Sequence, residues 1–296
     1  MRIAKKVIIY LGNSGLFNWL PDRLFLQIMY RVRTGESLNL KNPVKFNEKL
    51  QWIKLYCHKD EYSRMVDKFE VRDFIKEKLG EGLLIPLIGV YDNFDQIDFE
   101  ELPNKFVLKC THDSGGIVIC RNKKSFSIED AKKKINKSMR KNYFYHAREY
   151  PYKSVVPRII IEEYLVDESN FELKDYKIWC FNGEPKFIAV HSGRGLKEKM
   201  EQDFFDLEWR KMNARFSKNV PLTTEVSKPE TLKEMIDYSK KLSCGMPFVR
   251  IDFYDINGEL FFGEITFFPN SGWANFSPNE HNYHMGEWIE LPELGF

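Results

Sequence analysis

The stretch that decides the fold is Val249-Arg250-Ile251-Asp252-Phe253-Tyr254, then a turn, then Leu260-Phe261-Phe262-Gly263-Glu264-Ile265-Thr266. Apolar and polar side chains alternate along it, which is typical of strands, and Asn257-Gly258 is a strong hairpin-turn signal. We therefore predict an antiparallel hairpin. Alternation places Ile251 on one face of its first strand and Arg250 and Asp252 on the other.

The register of this hairpin depends on the length of its loop. A two-residue turn would pair Asp252 with Gly263 and put Glu264 on the opposite face. A three-residue loop, 256–258, would pair Arg250 with Glu264 and place Asp252 diagonally beside it. We prefer the three-residue loop because it keeps the apolar residues together. It predicts two carboxylates beside an arginine, with Thr266 next in line, which suits Mg²⁺ shared with substrate phosphates. The alternative is an ordinary cross-strand Arg–Glu pair.

Composition excludes several classes of protein. The 296 residues are 43% hydrophobic, 15% aromatic and 30% charged, which argues against a disordered chain or a coiled coil. A net charge of +2 lacks the concentrated basic stripe of nucleic-acid-binding proteins, so we expect no nucleic-acid partner. The five cysteines lie far apart without a CxxC pair, which favours a reducing cytoplasm over a zinc ribbon or a disulfide framework.

The start of the chain allows two interpretations. The apolar run 7–11 is too short to span a bilayer. Residues 17–33 combine apolar side chains with Arg23, Arg31 and Arg33, which predicts an amphipathic helix. That helix would either lie on a membrane surface or pack against its own domain, and we favour packing.

The pattern along the chain predicts an α+β enzyme of three lobes. Helical spacing dominates residues 44–80, a glycine-containing loop joins two strands near residues 106–120, and hairpin signals dominate after residue 172. We assign residues 1–104 to a helical and mixed N-terminal lobe. Residues 105–165 would form a small lobe with the mobile glycine loop and a hinge, and residues 166–296 an antiparallel-sheet lobe with the metal site.

The order of these motifs resembles the ATP-grasp superfamily. Its metal-binding hairpin reads Arg-x-Asp, then Glu-x-Asn-x-x-Pro-Gly, and is similar to Arg250-x-Asp252 with Glu264-x-Thr266 and Pro269. The whole chain resembles the TupA-like branch, which is tied to teichuronopeptide and capsular polysaccharide synthesis. The segments that carry this narrower match are 45–52, 67–72, 106–116, 175–177 and 263–269. The resemblance implies the ATP-grasp fold.

The resemblance also implies roles for individual residues. Lys109, Ser114, Gly115, Gly116, Glu162, Glu163, Leu165 and Lys177 would bind ATP. Lys177 and Arg250 would act on the transferred phosphate. Asp252, Glu264 and Thr266 would hold two Mg²⁺ ions, and Arg194, Ser271 and Gly272 would bind the acceptor. Thr266 departs from the superfamily's asparagine, and Asn270 and Ser271 replace the glycine after Pro269.

The reaction implied is ATP-dependent joining of a carboxylate to an amine. The carboxylate attacks the γ-phosphate to give an acyl phosphate, which the amine displaces, so that ADP and phosphate leave. The expected partners are a carboxylate-bearing glycan or peptide and an amine, in the cytoplasm or at the inner face of the membrane. A glycosyltransferase of polysaccharide synthesis is the alternative, but the sequence has no Asp-x-Asp pair for a sugar-nucleotide metal. A phosphotransferase on the same fold is a further alternative.

Overall fold

A computed structural model of the protein describes residues 2–166, 174–192 and 201–293. Its helices are α1 (Arg2–Asn13), α2 (Asp22–Thr34), α3 (Phe46–Tyr56), α4 (Glu61–Val66), α5 (Val71–Leu79), α6 (Ile128–Met139), α7 (Phe144–Ala147), α8 (Leu232–Leu242) and α9 (His281–Glu287). Its strands are β1 (Leu87–Tyr91), β2 (Phe106–Cys110), β3 (Ile117–Cys120), β4 (Ile159–Glu163), β5 (Asp175–Phe181), β6 (Glu184–Ser192), β7 (Glu201–Phe205), β8 (Lys211–Met212), β9 (Arg215–Phe216), β10 (Phe248–Ile256), β11 (Glu259–Thr266) and β12 (Phe276–Ser277).

The chain forms two compact units. The glycine-loop unit comprises Lys59–Phe144 and Tyr150–Val166, and the hairpin unit comprises Met1–His58, Tyr145–Glu149 and Asp167–Phe296. This division differs from the three lobes read from the sequence, since residues 59–104 join the glycine loop rather than the N-terminal helices. The mixture of helices and antiparallel sheets confirms the predicted α+β class.

The glycine-loop unit is a four-stranded antiparallel sheet in the order β1-β4-β2-β3. Alternate residues of β2 and β4, among them Phe106, Leu108 and Ile161, are fully buried in one core with Ala131 and Ile135 of α6. The opposite face therefore carries the intervening residues, including Lys109. The helix before this sheet, α5, is followed by Gly80, whose φ of +90° is one that side chains other than glycine rarely adopt.

The hairpin unit contains a six-stranded antiparallel sheet in the order β11-β10-β5-β6-β7-β8. Its main core is aromatic and centres on Trp179 of β5, whose ring stacks on Phe187 at 5.0 Å between centroids and lies 5.7 Å from Phe46 of α3. The other face is covered by α8, where Cys180 Sγ lies 4.0 Å from the Ser239 carbonyl oxygen. Much of the protein's high aromatic content therefore serves to pack this core.

The hairpin has a different register from the one predicted. Ile256 pairs with Glu259, so the turn is the two residues Asn257 and Gly258, with φ of +55° and +83°. The predicted three-residue loop is wrong, because two consecutive left-handed residues match the twist of the strands without a third.

The two-residue turn does not separate the carboxylates, because β11 contains a bulge. Phe253 pairs with Phe262, but the next residue of β10, Asp252, pairs with Glu264. The extra residue is Gly263, where an added Cβ would lie 3.0 Å from the Asp252 carbonyl oxygen. The bulge returns Glu264 to the face of Asp252. The prediction that these two carboxylates share a face is therefore correct, but the cause is the bulge and not a three-residue loop.

Candidate functional site

One row of charged side chains crosses three neighbouring strands of the hairpin unit. Lys177 of β5 pairs directly with Asp252 of β10, and Asp252 pairs with Glu264 of β11. The Lys177 ammonium donates to Asp252 Oδ2 and lies 3.7 Å from Asp175 Oδ2. Side chains directly opposite each other share a face, so the sheet brings together the predicted phosphate and metal residues.

Arg250 connects the members of this row. Its Nε and Nη2 donate to the two oxygens of Asp252 at 2.6 and 2.7 Å. Nη2 also donates to Glu264 Oε1 and Thr266 Oγ1, each at 3.0 Å. A single guanidinium therefore fixes all three predicted metal ligands by its planar fork of donors.

The charges of this cluster shift the pKa values of its members. Burial alone would raise the pKa of Asp252, but Arg250 and Lys177 outweigh it and hold the pKa below its ordinary value. Burial likewise opposes the charge of Arg250, yet Asp252 and Glu264 raise its pKa. Both groups are consequently ionised at neutral pH, although each is almost fully buried.

The donors suit Mg²⁺ only if a substrate completes the coordination shell. Asp252 and Glu264 supply carboxylate oxygens and Thr266 a hydroxyl, which are hard ligands of the kind Mg²⁺ prefers. Both oxygens of Asp252 already accept from Arg250 or Lys177, whereas the Glu264 side chain is 40% exposed. Within the described residues no group of three or more His, Cys, Asp or Glu side chains could hold a metal ion by itself.

A second charged cluster lies on the sheet of the glycine-loop unit. Lys109 Nζ of β2 lies 2.5 Å from Glu162 Oε2 of β4, and Arg72 Nη1 of α5 lies 3.2 Å from Glu162 Oε1. Each oxygen of Glu162 thus faces a cation, so this carboxylate holds Lys109 in place. Arg72 also donates to the Ile85 carbonyl oxygen at 2.9 Å. No role was predicted for Arg72, although it lies in the segment 67–72 that carries the family resemblance.

The glycine loop is anchored by Asp113. Its Oδ1 accepts from the Gly116 amide at 2.9 Å, its Oδ2 accepts from the Ser138 hydroxyl, and Lys68 donates to its carbonyl oxygen. At Gly116 an added Cβ would lie 2.5 Å from Cys110 Sγ, so packing requires this glycine. The Gly116 N–H is already bonded, and the groups exposed for a ligand are those of Ser114 and Gly115.

The remaining nucleotide residues lie at the end of β4. Glu163 is exposed, and its amide donates to the Pro86 carbonyl oxygen at 3.1 Å. Leu165 follows the strand and is half-buried. The chain then passes into residues 167–173, which lie outside the described residues. The predicted acceptor residue Arg194 also lies outside them, in 193–200.

The predicted acceptor loop adopts an unusual backbone. Asn270, Ser271 and Gly272 are all left-handed, with φ of +50°, +54° and +65°. Two side chains of α3 hold the loop's carbonyl groups. Gln51 Nε2 donates to the Gly272 oxygen at 2.9 Å, and Lys54 Nζ donates to the Ser271 oxygen at 2.8 Å.

The same loop covers two buried ionisable side chains, Lys54 and Glu149, for which no role was predicted. Lys54 is 2% exposed, lies 4.5 Å from the centroid of the Trp273 ring and interacts with the buried Glu149, which accepts from the Ser271 hydroxyl. Burial lowers the pKa of Lys54 to about 7 although Glu149 opposes this, and burial raises the pKa of Glu149 although Lys54 opposes that. The only sequence signal was a row of polar residues at helical spacing on α3, namely Asn47, Gln51 and Lys54.

Several solved structures are similar to this chain. A D-alanine–D-alanine ligase from Bacillus anthracis is 15% identical over 83% of this chain and 69% of that chain, with a TM-score of 0.39. The Helicobacter pylori enzyme of the same name is 14% identical over 83% and 70%, with a TM-score of 0.42. The ATP-grasp ligase PsnB, solved with a minimal precursor, is 11% identical over 97% and 71%, with a TM-score of 0.40.

The family comparison is more specific. A search of curated proteins found no match. The family described as TupA-like ATPgrasp matches residues 48–290, which include most of α3, both charged clusters, the glycine loop and the acceptor loop. This match confirms the predicted resemblance and the predicted ATP-grasp fold. Because it spans well over half of the sequence, the chain belongs to the TupA-like ATPgrasp family.

Proposed function

We propose that the protein is an ATP-dependent carboxylate–amine ligase that modifies a bacterial surface polysaccharide. The observation that carries this proposal is the row of Lys177, Asp252 and Glu264, held together by Arg250, in a chain of the TupA-like ATPgrasp family. The row places cationic groups for phosphates beside carboxylates for a metal, which is what transfer of a phosphoryl group to a carboxylate requires.

The central electrostatic task is to bring a carboxylate against a triphosphate. Two like unit charges about 4 Å apart repel by about 4 kcal/mol at an effective dielectric constant of about 20. When bound, ATP supplies the γ-phosphate that activates the carboxylate. We assign Lys177 and Arg250 to the transferred phosphate, since their positive charges would be placed before the substrate arrives. Arg250 is suited to this role because its guanidinium can bind phosphate bidentately.

The charged side chains of the hairpin and of β5 suit Mg²⁺ that is shared with the phosphates. Asp252, Glu264 and Thr266 would bind the metal together with phosphate oxygens, and two ions are expected. The cluster formed by Lys177, Arg250, Asp175, Asp252 and Glu264 carries two positive and three negative charges, so it favours a cation. Glu264 is the accessible ligand, whereas Asp252 would exchange one of its contacts with Lys177 or Arg250 for the metal.

The other predicted nucleotide residues complete the proposal. Lys109 would contact the phosphates, with Glu162 positioning it and Arg72 positioning Glu162 in turn. Ser114 and Gly115 would cover the phosphates, while Gly116 shapes the loop. We assign Glu163 and Leu165 to the adenine end. This revises the role of Glu162 from adenine binding to positioning.

The acceptor side is proposed to use the loop that follows β11. Ser271 and Gly272 present their carbonyl groups to α3, and the Ser271 hydroxyl is bonded to Glu149, so the loop's remaining backbone groups would contact the acceptor. The resemblance to TupA-like proteins supports a uronic-acid carboxyl joined to an amino acid, or a growing peptide chain. Dependence on ATP and the five free cysteines support a cytoplasmic reaction.

The test is phosphate release from Mg²⁺-ATP in the presence of uronic-acid glycans and amino acids. Release that needs both a carboxylate and an amine, with an amide in the product, supports the ligase. We expect Asp252→Asn and Glu264→Gln to lower turnover at least about 100-fold, because each removes a charge that stabilises the transition state. The exposed Asp237→Asn on α8 is the matched control and should keep full activity.

Three outcomes would contradict the proposal. Full activity of both Asp252→Asn and Glu264→Gln would remove the metal assignment. Transfer from a sugar nucleotide without ATP would establish the glycosyltransferase, and phosphorylation of an acceptor without an amine would establish the phosphotransferase. Circular dichroism of each variant distinguishes lost chemistry from lost folding, and Glu264→Gln is the safer variant because its side chain is partly exposed.

A further inference from the structure

Five large apolar side chains are exposed within residues 7–24. Trp19 is 79% exposed and Tyr10 is 71% exposed, and Leu16, Val7 and Leu24 are each more than 40% exposed. Val7 and Tyr10 lie three residues apart on α1, Leu16 and Trp19 lie in the turns that follow it, and Leu24 lies in the first turn of α2. We call these five residues the N-terminal apolar surface. Five of the twelve large hydrophobic side chains that are exposed in the described part of the chain lie within residues 7–24, and concentrated exposure of this kind is typical of an interaction surface.

This surface is not the helix face that the sequence suggested. In α2 the apolar residues Phe25, Leu26, Met29 and Tyr30 are fully buried within the hairpin unit. The amphipathic helix predicted near residues 17–33 therefore packs against its own domain, as favoured, and its apolar face is unavailable to a membrane. The exposed apolar residues lie mainly on α1 and the turns after it.

The charges in the segment that carries the N-terminal apolar surface are mostly positive. Residues 1–21 contain Arg2, Lys5 and Lys6 but no Asp or Glu. Lys5, Lys6 and Arg23 are exposed. The first acidic residue, Asp22, lies 2.8 Å from Arg148 Nε and is neutralised by it. A partner that covers this surface must therefore accept apolar side chains and positive charge together.

We propose that the N-terminal apolar surface docks the protein on an anionic lipid membrane. Trp and Tyr side chains favour the membrane–water interface, and nearby lysines and arginines are attracted to anionic headgroups. None of the helices in the described part of the chain has the length and apolar content of a membrane span. A second copy of the chain is a poorer occupant, because a symmetric contact would bring two surfaces that both carry Lys5, Lys6 and Arg23 together, and their positive charges repel each other.

The experiment uses the full chain and sedimented lipid vesicles. Vesicles of phosphatidylcholine alone are compared with vesicles that contain about 30 mol% phosphatidylglycerol, which supplies the anionic charge. We expect binding to the anionic vesicles at about 0.05 M salt and a loss of most of it at about 0.5 M. Tyr10→Ser/Trp19→Ser and Lys5→Glu/Lys6→Glu should each lower the bound fraction at least about fivefold, because each removes one of two attractive contributions.

A matched control comes from the other unit. Val156→Ser/Lys141→Glu removes one exposed apolar side chain and reverses one exposed charge in the glycine-loop unit, and it should bind like the wild type. Trp19 fluorescence, isolated by comparison with Trp19→Phe, should shift to shorter wavelength on anionic vesicles only.

Four results would overturn the proposal: equal binding to neutral vesicles, no binding at low salt, unchanged binding of both N-terminal variants, or loss of binding in the control. Concentration-dependent dimers that Tyr10→Ser/Trp19→Ser abolishes in the absence of lipid would instead assign the surface to a second copy.

Discussion

Asp252 is the residue on which the charges of the hairpin cluster converge. Its two oxygens accept from Arg250 at 2.6 and 2.7 Å, and Lys177 donates to one of them. A buried carboxylate is stable there only because two cations surround it, and removing one partner of such a group typically destabilises a protein by about 3–5 kcal/mol. The same arrangement holds the proposed metal ligand in a fixed place before substrate binds.

The buried pair of Lys54 and Glu149 leads to a prediction about stability. Lys54→Met should lower the free energy of unfolding by about 3 kcal/mol, because Glu149 loses its buried cation and the carbonyls of Ser271 and Ala147 lose a donor. Glu149→Gln should lower it by a similar amount. The double variant should lose clearly less than the sum of the two, since neither uncompensated charge remains.

Urea unfolding of the four proteins measures this coupling. The exposed Lys218→Met serves as a control and should change stability by less than about 0.5 kcal/mol. Additive losses in the double variant would show that Lys54 and Glu149 do not stabilise each other.

At the scale of elements, the hairpin of β10 and β11 shows how one residue, Gly263, determines which side chains share a face. The Asn257-Gly258 turn was readable from the sequence, but the bulge was not, because a glycine within a strand does not by itself reveal whether the register shifts. The helices α5 and α8 were predictable because their apolar spacing is regular. The contacts of α3 with the acceptor loop were not, since they join residues more than 200 positions apart.

The bulge can be tested with Gly263→Ala. The new Cβ would lie 3.0 Å from the Asp252 carbonyl oxygen and 3.3 Å from the Tyr254 ring, so the strands must separate locally. We expect the free energy of unfolding to fall by about 1–3 kcal/mol, and ATP turnover to fall by more than this loss of folding explains.

The control for stability is Gly115→Ala, where the nearest atom to an added Cβ is 3.9 Å away. It should unfold within about 1 kcal/mol of the wild type. Wild-type stability and turnover in Gly263→Ala would show that the bulge does not align Asp252 with Glu264.

At the scale of the molecule, a net charge of +2 conceals strong local segregation of charge. Buried clusters of both signs occupy the hairpin unit, and a Lys–Glu–Arg cluster occupies the glycine-loop unit. Basic residues without acidic neighbours begin the chain. Overall charge therefore says little about the partners of this protein, whereas the position of each charge in the fold says much.

Ligand binding should be visible in the stability of the whole protein. At a concentration about 100 times its dissociation constant, Mg²⁺-ATP should raise the free energy of unfolding by about 2.7 kcal/mol and the melting temperature by several degrees. Arg250→Met should lose most of this rise, because Arg250 positions Asp252, Glu264 and Thr266. Differential scanning fluorimetry with ATP, Mg²⁺ and both together provides the measurement. An equal rise in Arg250→Met would contradict the role assigned to that residue.

The sequence by itself determined the fold class, the family resemblance and the identities of the charged residues, because these depend on local periodicity and on the order of motifs. The tertiary structure decided which charges meet. Asp252 faces Glu264 through a bulge, Glu162 lies between Lys109 and Arg72, and Lys54 reaches a loop more than 200 residues away. Such contacts depend on strand register and on the packing of distant segments, and no local pattern encodes either of these.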